Sequence, residues 1–309
     1  MQKFIKSVPL AMSSLALAFA ALGNLLLPYS QAVRYICGVI SLLLLVLLVL
    51  KIILDLPHAL AELKTPVPLS ASPTATMTTM LLSAYIRPYV PTVAIAIWYT
   101  AIVLHVLIML LFIKRFVVGF KLSNVFPTWF IAGVGIGVVS ITAPAMGAIT
   151  LGQIAFYIGL GFYILILPLV LARLSLVRIL PEPATKTLAI FAAPMSLLVV
   201  GYFNSFINQG YGNAMFVYIL LSIAVVSHWC VILMMFWLLK VKFYPTYAAL
   251  AFPFVISAST FRIGANFIAN RYGIYFWGGV AHAAMWLAIA VVAFVTVHYI
   301  RYFKFWCKF

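Results

Sequence analysis

The sequence predicts an all-α polytopic membrane protein, with ten transmembrane helices arranged as five tandem helical hairpins. Of its 309 residues, 67% are hydrophobic and only 7% are charged, and the mean hydropathy is +1.22. A water-soluble core could not bury this much apolar surface. We therefore expect a single transmembrane domain that covers residues 1–309.

Ten apolar runs carry this prediction, because a helix needs about 20 apolar residues to cross a hydrocarbon core about 30 Å thick. The runs lie at residues 7–27, 33–55, 74–89, 91–113, 125–143, 148–172, 185–206, 214–239, 246–268 and 273–300. The third run is short and the tenth is long, which favours tilt or a break in these helices. Short turn-forming segments follow each odd-numbered run, so we expect each odd helix to pair with the next even helix.

Positive charges alternate between the two sides of this series. Fifteen of the nineteen Lys and Arg residues lie in the two tails or at the connections that follow even-numbered runs. These are Lys3, Lys6, Lys51, Lys64, Lys114, Arg115, Lys121, Arg173, Arg178, Lys186, Lys240, Lys242, Arg301, Lys304 and Lys308. The other connections hold Arg34, Arg87 and Arg271. Because short loops rich in Lys and Arg remain in the cytoplasm, we expect both termini on the cytoplasmic side of the membrane.

The formal net charge of +16 would suggest a nucleic-acid partner in a soluble protein. Here the charge is spread over short membrane-flanking connections and forms no basic stripe. Anionic lipid headgroups therefore explain it better, and we expect membrane lipid but no nucleic acid as a partner.

A proline recurs near the start of each odd-numbered run, at intervals of 54 to 67 residues. The five prolines are Pro9, Pro73, Pro127, Pro194 and Pro253. Each opens a stretch rich in small or hydroxyl residues, such as Gly135 and Ser257, whereas the second and eighth runs are almost entirely apolar. Proline bends a helix, which lipid tolerates only where neighbours or water satisfy the freed carbonyl. The pattern favours an inner ring of odd helices around a pore, although small residues also permit close helix packing.

Acidic residues occur at three positions, Asp55, Glu62 and Glu182, all at cytoplasmic connections. Proton or sodium coupling and cation pores usually rely on carboxylates inside the membrane. The sequence therefore disfavours those functions. A path for anions fits better, because the positive ends of outward-running odd helices lie at the cytoplasmic mouth.

Other chemistry has little support in the sequence. Cys37, Cys230 and Cys307 form neither a metal spacing nor a disulfide framework. Four histidines lie in or near even-numbered runs: His105, His228, His282 and His298. They leave a membrane haem protein open as an alternative, but the sequence favours packing or interfacial roles for them. No set of nucleophile, base and acid is present, so we expect no enzyme, no cofactor and no metal.

The ninth run carries the most specific pattern. Phe252 and Pro253 open it, and the sequence Ser-Ala-Ser-Thr-Phe-Arg follows from Ser257 to Arg262. With the five proline-marked hairpins, this pattern resembles the tellurite-resistance/dicarboxylate transporter family, which includes the plant guard-cell slow anion channel. The resemblance covers essentially the whole chain. It implies a homotrimer in a bacterial inner membrane, in which each protomer has its own pore, lined by the five odd helices.

The resemblance also implies a pore closed near mid-membrane by a phenylalanine, which in this sequence would be Phe261. The predicted function is a gated, passive channel for small anions, linked by family to tellurite resistance, and the alternative is a carrier for dicarboxylates or oxyanions. Arg262 is the one charge that we assign to the membrane interior rather than to a connection. Such a residue is a functional candidate, and we expect it either to bond carbonyls of a neighbouring helix or to attract anions to the outer vestibule.

Overall fold

The computed structural model of the protein describes residues 2–177, 180–240 and 242–306. In these ranges every regular element is a helix, and no strand occurs. The α-helices are α1 (Gln2–Lys6), α2 (Met12–Leu26), α3 (Gln31–Leu54), α4 (Leu56–Glu62), α5 (Pro66–Ala71), α6 (Pro73–Ile86), α7 (Pro91–Phe112), α8 (Trp129–Val134), α9 (Val138–Met146), α10 (Ile149–Leu176), α11 (Glu182–Thr185), α12 (Ala193–Ser205), α13 (Ala214–Leu238), α14 (Ala248–Tyr272) and α15 (Phe276–Trp306). The predicted all-α fold is confirmed.

Eight helical segments of the described chain are long and apolar enough to cross a membrane. They are Gln31–Leu54, Pro91–Val117, Trp129–Met146, Ile149–Leu176, Glu182–Gln209, Ala214–Leu238, Pro245–Tyr272 and Phe276–Phe303. They match the second predicted run and the fourth to the tenth, with bounds that differ by a few residues. The first and third runs correspond to α2 and α6, which have 15 and 14 residues. The protein is thus a polytopic helical membrane protein, and the two additional crossings stay a prediction.

The spans divide into two classes by burial. Over the most apolar stretch of each span, 78% to 83% of the residues are buried in Trp129–Met146, Glu182–Gln209 and Pro245–Tyr272, but only 28% to 39% in the other five. Nearly all residues of α2 and most of α6 are also buried. We call α2, α6, α8, α9, α12 and α14 the buried helices. Because α8 and α9 belong to one span, the buried helices form five buried segments. We call α3, α7, α10, α13 and α15 the peripheral helices. Leu-rich and Val-rich peripheral helices suit contact with lipid, whereas small and hydroxyl residues suit the crowded interior.

The five repeated prolines occupy different positions relative to these helices. Pro73 and Pro194 fall in the first turn of α6 and α12, where the missing N–H group costs no hydrogen bond. Pro9 and Pro127 precede α2 and α8. Of the five, only Pro253 lies beyond the first turn of an α-helix. The fifth run is interrupted at Gly135–Gly137, a 3-10 turn that joins α8 to α9.

Both ends of the described chain lie on one face of the bundle. The hydroxyl of Tyr302 donates to the Ser7 carbonyl at 3.4 Å, and Lys51 donates to the Lys6 carbonyl at 2.9 Å. We call this side, with α4, α5 and α11, the terminal face. The opposite face carries the contact between Tyr29 and His282, whose hydroxyl and Nε2 are 3.1 Å apart. Three residues that the sequence analysis considered lie outside the described ranges: Arg178, Cys307 and Lys308.

Candidate functional site

A small cavity lies where the buried helices converge. Its volume is about 30 Å³, which leaves room for about two water molecules. All five buried segments contribute to its wall. The lining residues are Ser14, Leu17, Thr74, Met77, Phe130, Ile131, Val134, Gly135, Ile190, Ala193, Pro194, Leu197, Ala249, Phe252 and Pro253. Serine and threonine provide the only polar side chains of this wall, so the central cavity is a narrow apolar space.

A wider vestibule of about 230 Å³ opens beside the central cavity toward the terminal face. The two share the lining residues Ser14, Ile131, Ile190 and Ala249, so they are adjacent. The other lining residues come from the segments that lead into the buried helices: Pro9, Leu10, Ala11, Glu62, Val67, Pro68, Ala71, Ser72, Thr128, Pro183, Thr187, Tyr244, Pro245 and Thr246. The amino-terminal ends of all five buried segments therefore meet around one space, with the positive ends of their helix dipoles toward it.

Two phenylalanines narrow the central cavity, Phe130 from α8 and Phe252 from α14. Both are buried, with 1% and 7% of their surface exposed. Phe130 is held by ring contacts, because its centroid lies 5.8 Å from that of Tyr163 and 5.7 Å from that of Phe191. Phe252 has no such ring contact among the described residues, and its helix neighbours on the cavity wall are Ala249 and Pro253. Phe252 is thus held by aliphatic packing rather than by a ring contact of this kind.

The predicted kink and lining residues divide between several environments. Gly135, Pro194 and Pro253 line the central cavity, and Pro9 lines the vestibule. A Cβ atom on Gly135 would lie 2.9 Å from the Met77 Sδ atom and 3.1 Å from the His105 ring. Only glycine therefore fits there without displacing a neighbour.

Three further predicted positions do not line either space. Pro73 and Pro127 stand beside the vestibule residues Ser72 and Thr128 but not in its wall. Ser257 faces α12, where its hydroxyl donates to the Ala192 carbonyl at 3.1 Å.

Phe261 lies away from the central cavity, contrary to its predicted position on the axis of the buried helices. It lines a lateral groove of about 320 Å³ between α13, α14 and α15. The groove residues are Tyr218, Leu221, Ser222, Val225, Trp229, Phe261, Gly264, Ala265, Ile268, Trp277 and Val280. Its ring meets His228 edge to face, with centroids 4.9 Å apart. The reason is helical phase: Phe261 follows Phe252 by nine residues, and about 100° per residue places the two on opposite sides of α14.

The chain matches one protein-family model over residues 7–300, and that family is described as voltage-dependent anion channel. The chain belongs to this family. The resemblance to the family of the plant guard-cell slow anion channel is therefore confirmed. A comparison with curated proteins finds no match. The family consists of channels and transporters rather than enzymes, and anion transport is its general function.

In this family member, the hydroxyl residues of the buried helices mostly join helix to helix. Ser13 pairs with Thr74 at 2.6 Å between α2 and α6, and Thr260 donates to the Ser196 carbonyl at 2.8 Å between α14 and α12. These bonds satisfy polar groups in an interior that excludes water. Many of the small and hydroxyl residues therefore serve close helix packing, which the sequence analysis gave as the alternative to pore lining.

Arg262 reaches a neighbouring buried helix of the channel. Its guanidinium donates to the carbonyl of Leu25, in the last turn of α2. The final carbonyls of a helix lack partners within the helix, and a cation there also meets the negative end of the dipole. Arg262 therefore joins α14 to α2, which agrees with the structural alternative of the sequence analysis.

The histidines lie in separate environments. His105 is fully buried, and its Nδ1 lies 2.8 Å from the Thr76 hydroxyl. His228 packs between Phe254 and Phe261. On the terminal face, His58 hydrogen-bonds Asp55 at 2.8 Å, and this bond lowers the pKa of the Asp55 carboxyl. Among the described residues, no group of three or more His, Cys, Asp or Glu side chains is placed to hold a metal ion.

Proposed function

We propose that this protein is a gated anion channel, through which small anions pass without coupling to another solute. The observation that carries the proposal is the pair of adjacent spaces, the vestibule and the central cavity, to which all five buried segments contribute. None of the three acids, Asp55, Glu62 and Glu182, lines the central cavity. Its narrow wall offers an anion hydroxyls and no carboxylate, so cations find no favourable partner there.

Ten crossings in five hairpins form the proposed topology, with the terminal face in the cytoplasm of a bacterium. Besides the eight long spans, α2 and α6 are buried beside them and pack against α3 and α7. Fifteen of the nineteen Lys and Arg residues lie on the terminal side of this topology, which supports the orientation. A homotrimer with one pore in each protomer rests on the family resemblance.

We assign the gate to Phe252. This ring occupies the central cavity, where the space beside it holds about two waters. A narrow apolar passage of this kind excludes water and so blocks ions. Rotation of the ring, or a shift of α14 at Pro253, opens the passage. The initial candidate, Phe261, would have to act from the lateral groove through the packing of α14.

Ion selectivity tests the proposal directly. The purified wild-type protein and the Phe252→Ala variant are each reconstituted in planar bilayers with a higher potassium chloride concentration on one side. This gradient gives potassium and chloride equilibrium potentials of opposite sign. We expect a reversal potential that follows the chloride gradient. A reversal potential that follows the potassium gradient would contradict an anion path.

A carrier for dicarboxylates or oxyanions is the alternative, because a closed central cavity also suits a protein that occludes its substrate. Saturable flux that is accelerated by anion on the far side of the membrane would favour the carrier. Current that scales with the driving force favours the channel. We further propose, from the family resemblance, a link to tellurite resistance and a closer likeness to bacterial TehA.

A further inference from the structure

The vestibule of this basic protein has an acidic residue in its wall. The chain has nineteen Lys and Arg residues and three acids. Of the described residues that line the vestibule, Glu62 alone carries a charge. In a path for anions this carboxylate repels the permeating ion, so its position requires an explanation.

The cation that pairs with Glu62 is hidden behind it. The ammonium of Lys51 lies 3.5 Å from Glu62 Oε1 and 3.7 Å from Asp55 Oδ2, and it also donates to the Lys6 carbonyl. The Lys51 side chain is 5% exposed, whereas that of Glu62 is 38% exposed. An ion in the vestibule therefore meets the carboxylate first, with the compensating charge behind it.

A second acid lies close to the same wall. The hydroxyl of Tyr244, a vestibule residue, donates to Glu182 Oε2 at 3.2 Å. Of the three acids of the chain, Glu62 thus lines the vestibule and Glu182 contacts one of its lining residues. Phe252 and the central cavity lie beyond these acids on the way through the protein.

We infer that Glu62 sets the rate at which anions enter from the terminal face, as an electrostatic barrier in series with the gate. This inference rests on the proposed anion path. The barrier acts on entry from one side only, so it makes the current unequal in the two directions. A charge at the wall of a water-filled vestibule is screened by salt, so the barrier weakens as ionic strength rises.

The test compares Glu62→Gln with Asp55→Asn, both in a Phe252→Ala background so that entry rather than the gate limits the current. Each variant removes one carboxylate and leaves Lys51 one acidic partner, but Asp55 does not line the vestibule. We expect Glu62→Gln to raise anion current from the terminal face about two- to threefold at 10 mM salt, and to have little effect at 1 M salt. Asp55→Asn removes a carboxylate outside the vestibule wall, so we expect it to change the ratio of the two current directions less than Glu62→Gln does.

A chemical version tests the position of the residue independently. After replacement of the natural cysteines, Glu62→Cys is modified from the terminal face with a positively or a negatively charged thiosulfonate reagent. The positive group should raise anion current, and the negative group should restore the lower current. Equal currents for both labels, or for Glu62→Gln and Asp55→Asn, would overturn the barrier while leaving the anion path intact. Absence of anion current in every variant would instead contradict the proposed function.

Discussion

The central cavity and the lateral groove lie on opposite sides of the same helix, α14. The cavity has about 30 Å³ and is surrounded by five buried segments, whereas the groove has about 320 Å³ and lies among α13, α14 and α15. Each is lined by a phenylalanine of α14. The proposed ion path follows the smaller of the two spaces. The reason is that the buried helices surround this space and that it adjoins the vestibule, whereas the groove lies beside peripheral helices.

The largest expected effect is the difference in anion flux between a variant in the central cavity and a variant in the lateral groove. We expect Phe252→Ala to raise basal anion flux about tenfold or more, because the ring leaves a passage too narrow for hydrated ions. Phe261→Ala removes the same atoms from the groove and should leave flux within about twofold of wild type. Iodide or chloride efflux from proteoliposomes measures both. An increase with Phe261→Ala and none with Phe252→Ala would return the gate to the groove side.

The sequence predicted that odd-numbered runs are interior and even-numbered runs lipid-facing. It did not predict which face of α14 points to the central cavity. Hydropathy predicted eight of the ten spans to within a few residues of the observed bounds, because membrane thickness acts on whole segments. The ninth run, however, has no distinct polar face, so its composition does not distinguish the wall of the cavity from that of the groove. Phe252 and Phe261 therefore look alike in sequence.

A signal for Phe252 was nevertheless present. It precedes Pro253, and the repeated prolines mark the level at which the buried helices begin, two of them within the cavity wall. The positions of the hydroxyl residues were predicted only in part. Sequence indicates that they are in the interior, but whether they face a pore or another helix depends on tertiary packing, as with Ser257 and Ala192.

Arg262 lies on α14 and contacts α2. We expect its replacement to have a smaller effect than that of Phe252, and to act on stability rather than on flux. We expect Arg262→Gln to lower the free energy of unfolding by about 1.5–3 kcal/mol, because the Leu25 carbonyl loses a charged donor. Arg271→Gln, at the exposed end of the same helix, is the control and should cost little. Denaturant unfolding in detergent measures both. A stable Arg262→Gln protein with reduced anion flux would instead favour the attraction of anions to the outer vestibule.

Ser257 should give the smallest effect. Its hydroxyl joins α14 to α12 through the Ala192 carbonyl and Ser196, at 3.1 and 3.2 Å. We expect Ser257→Ala to cost about 0.5–1.5 kcal/mol of stability and to leave anion flux unchanged. The control is Ser222→Ala in the lateral groove, where the side chain is exposed and the change should be nearly neutral. A large fall in flux with Ser257→Ala would return this residue to the pore wall.

Two alanines of α14 allow the most direct test of the ion path. Ala249 lines both the vestibule and the central cavity, and Ala265 lines the lateral groove. They are almost equally buried, at 8% and 7% exposure. Each is replaced by cysteine in a Phe252→Ala protein that lacks the natural cysteines, and a negatively charged thiosulfonate is applied from the terminal face. We predict that Ala249→Cys loses its anion current on modification and that Ala265→Cys does not. Block at Ala265→Cys with no effect at Ala249→Cys would contradict an anion path through the buried helices.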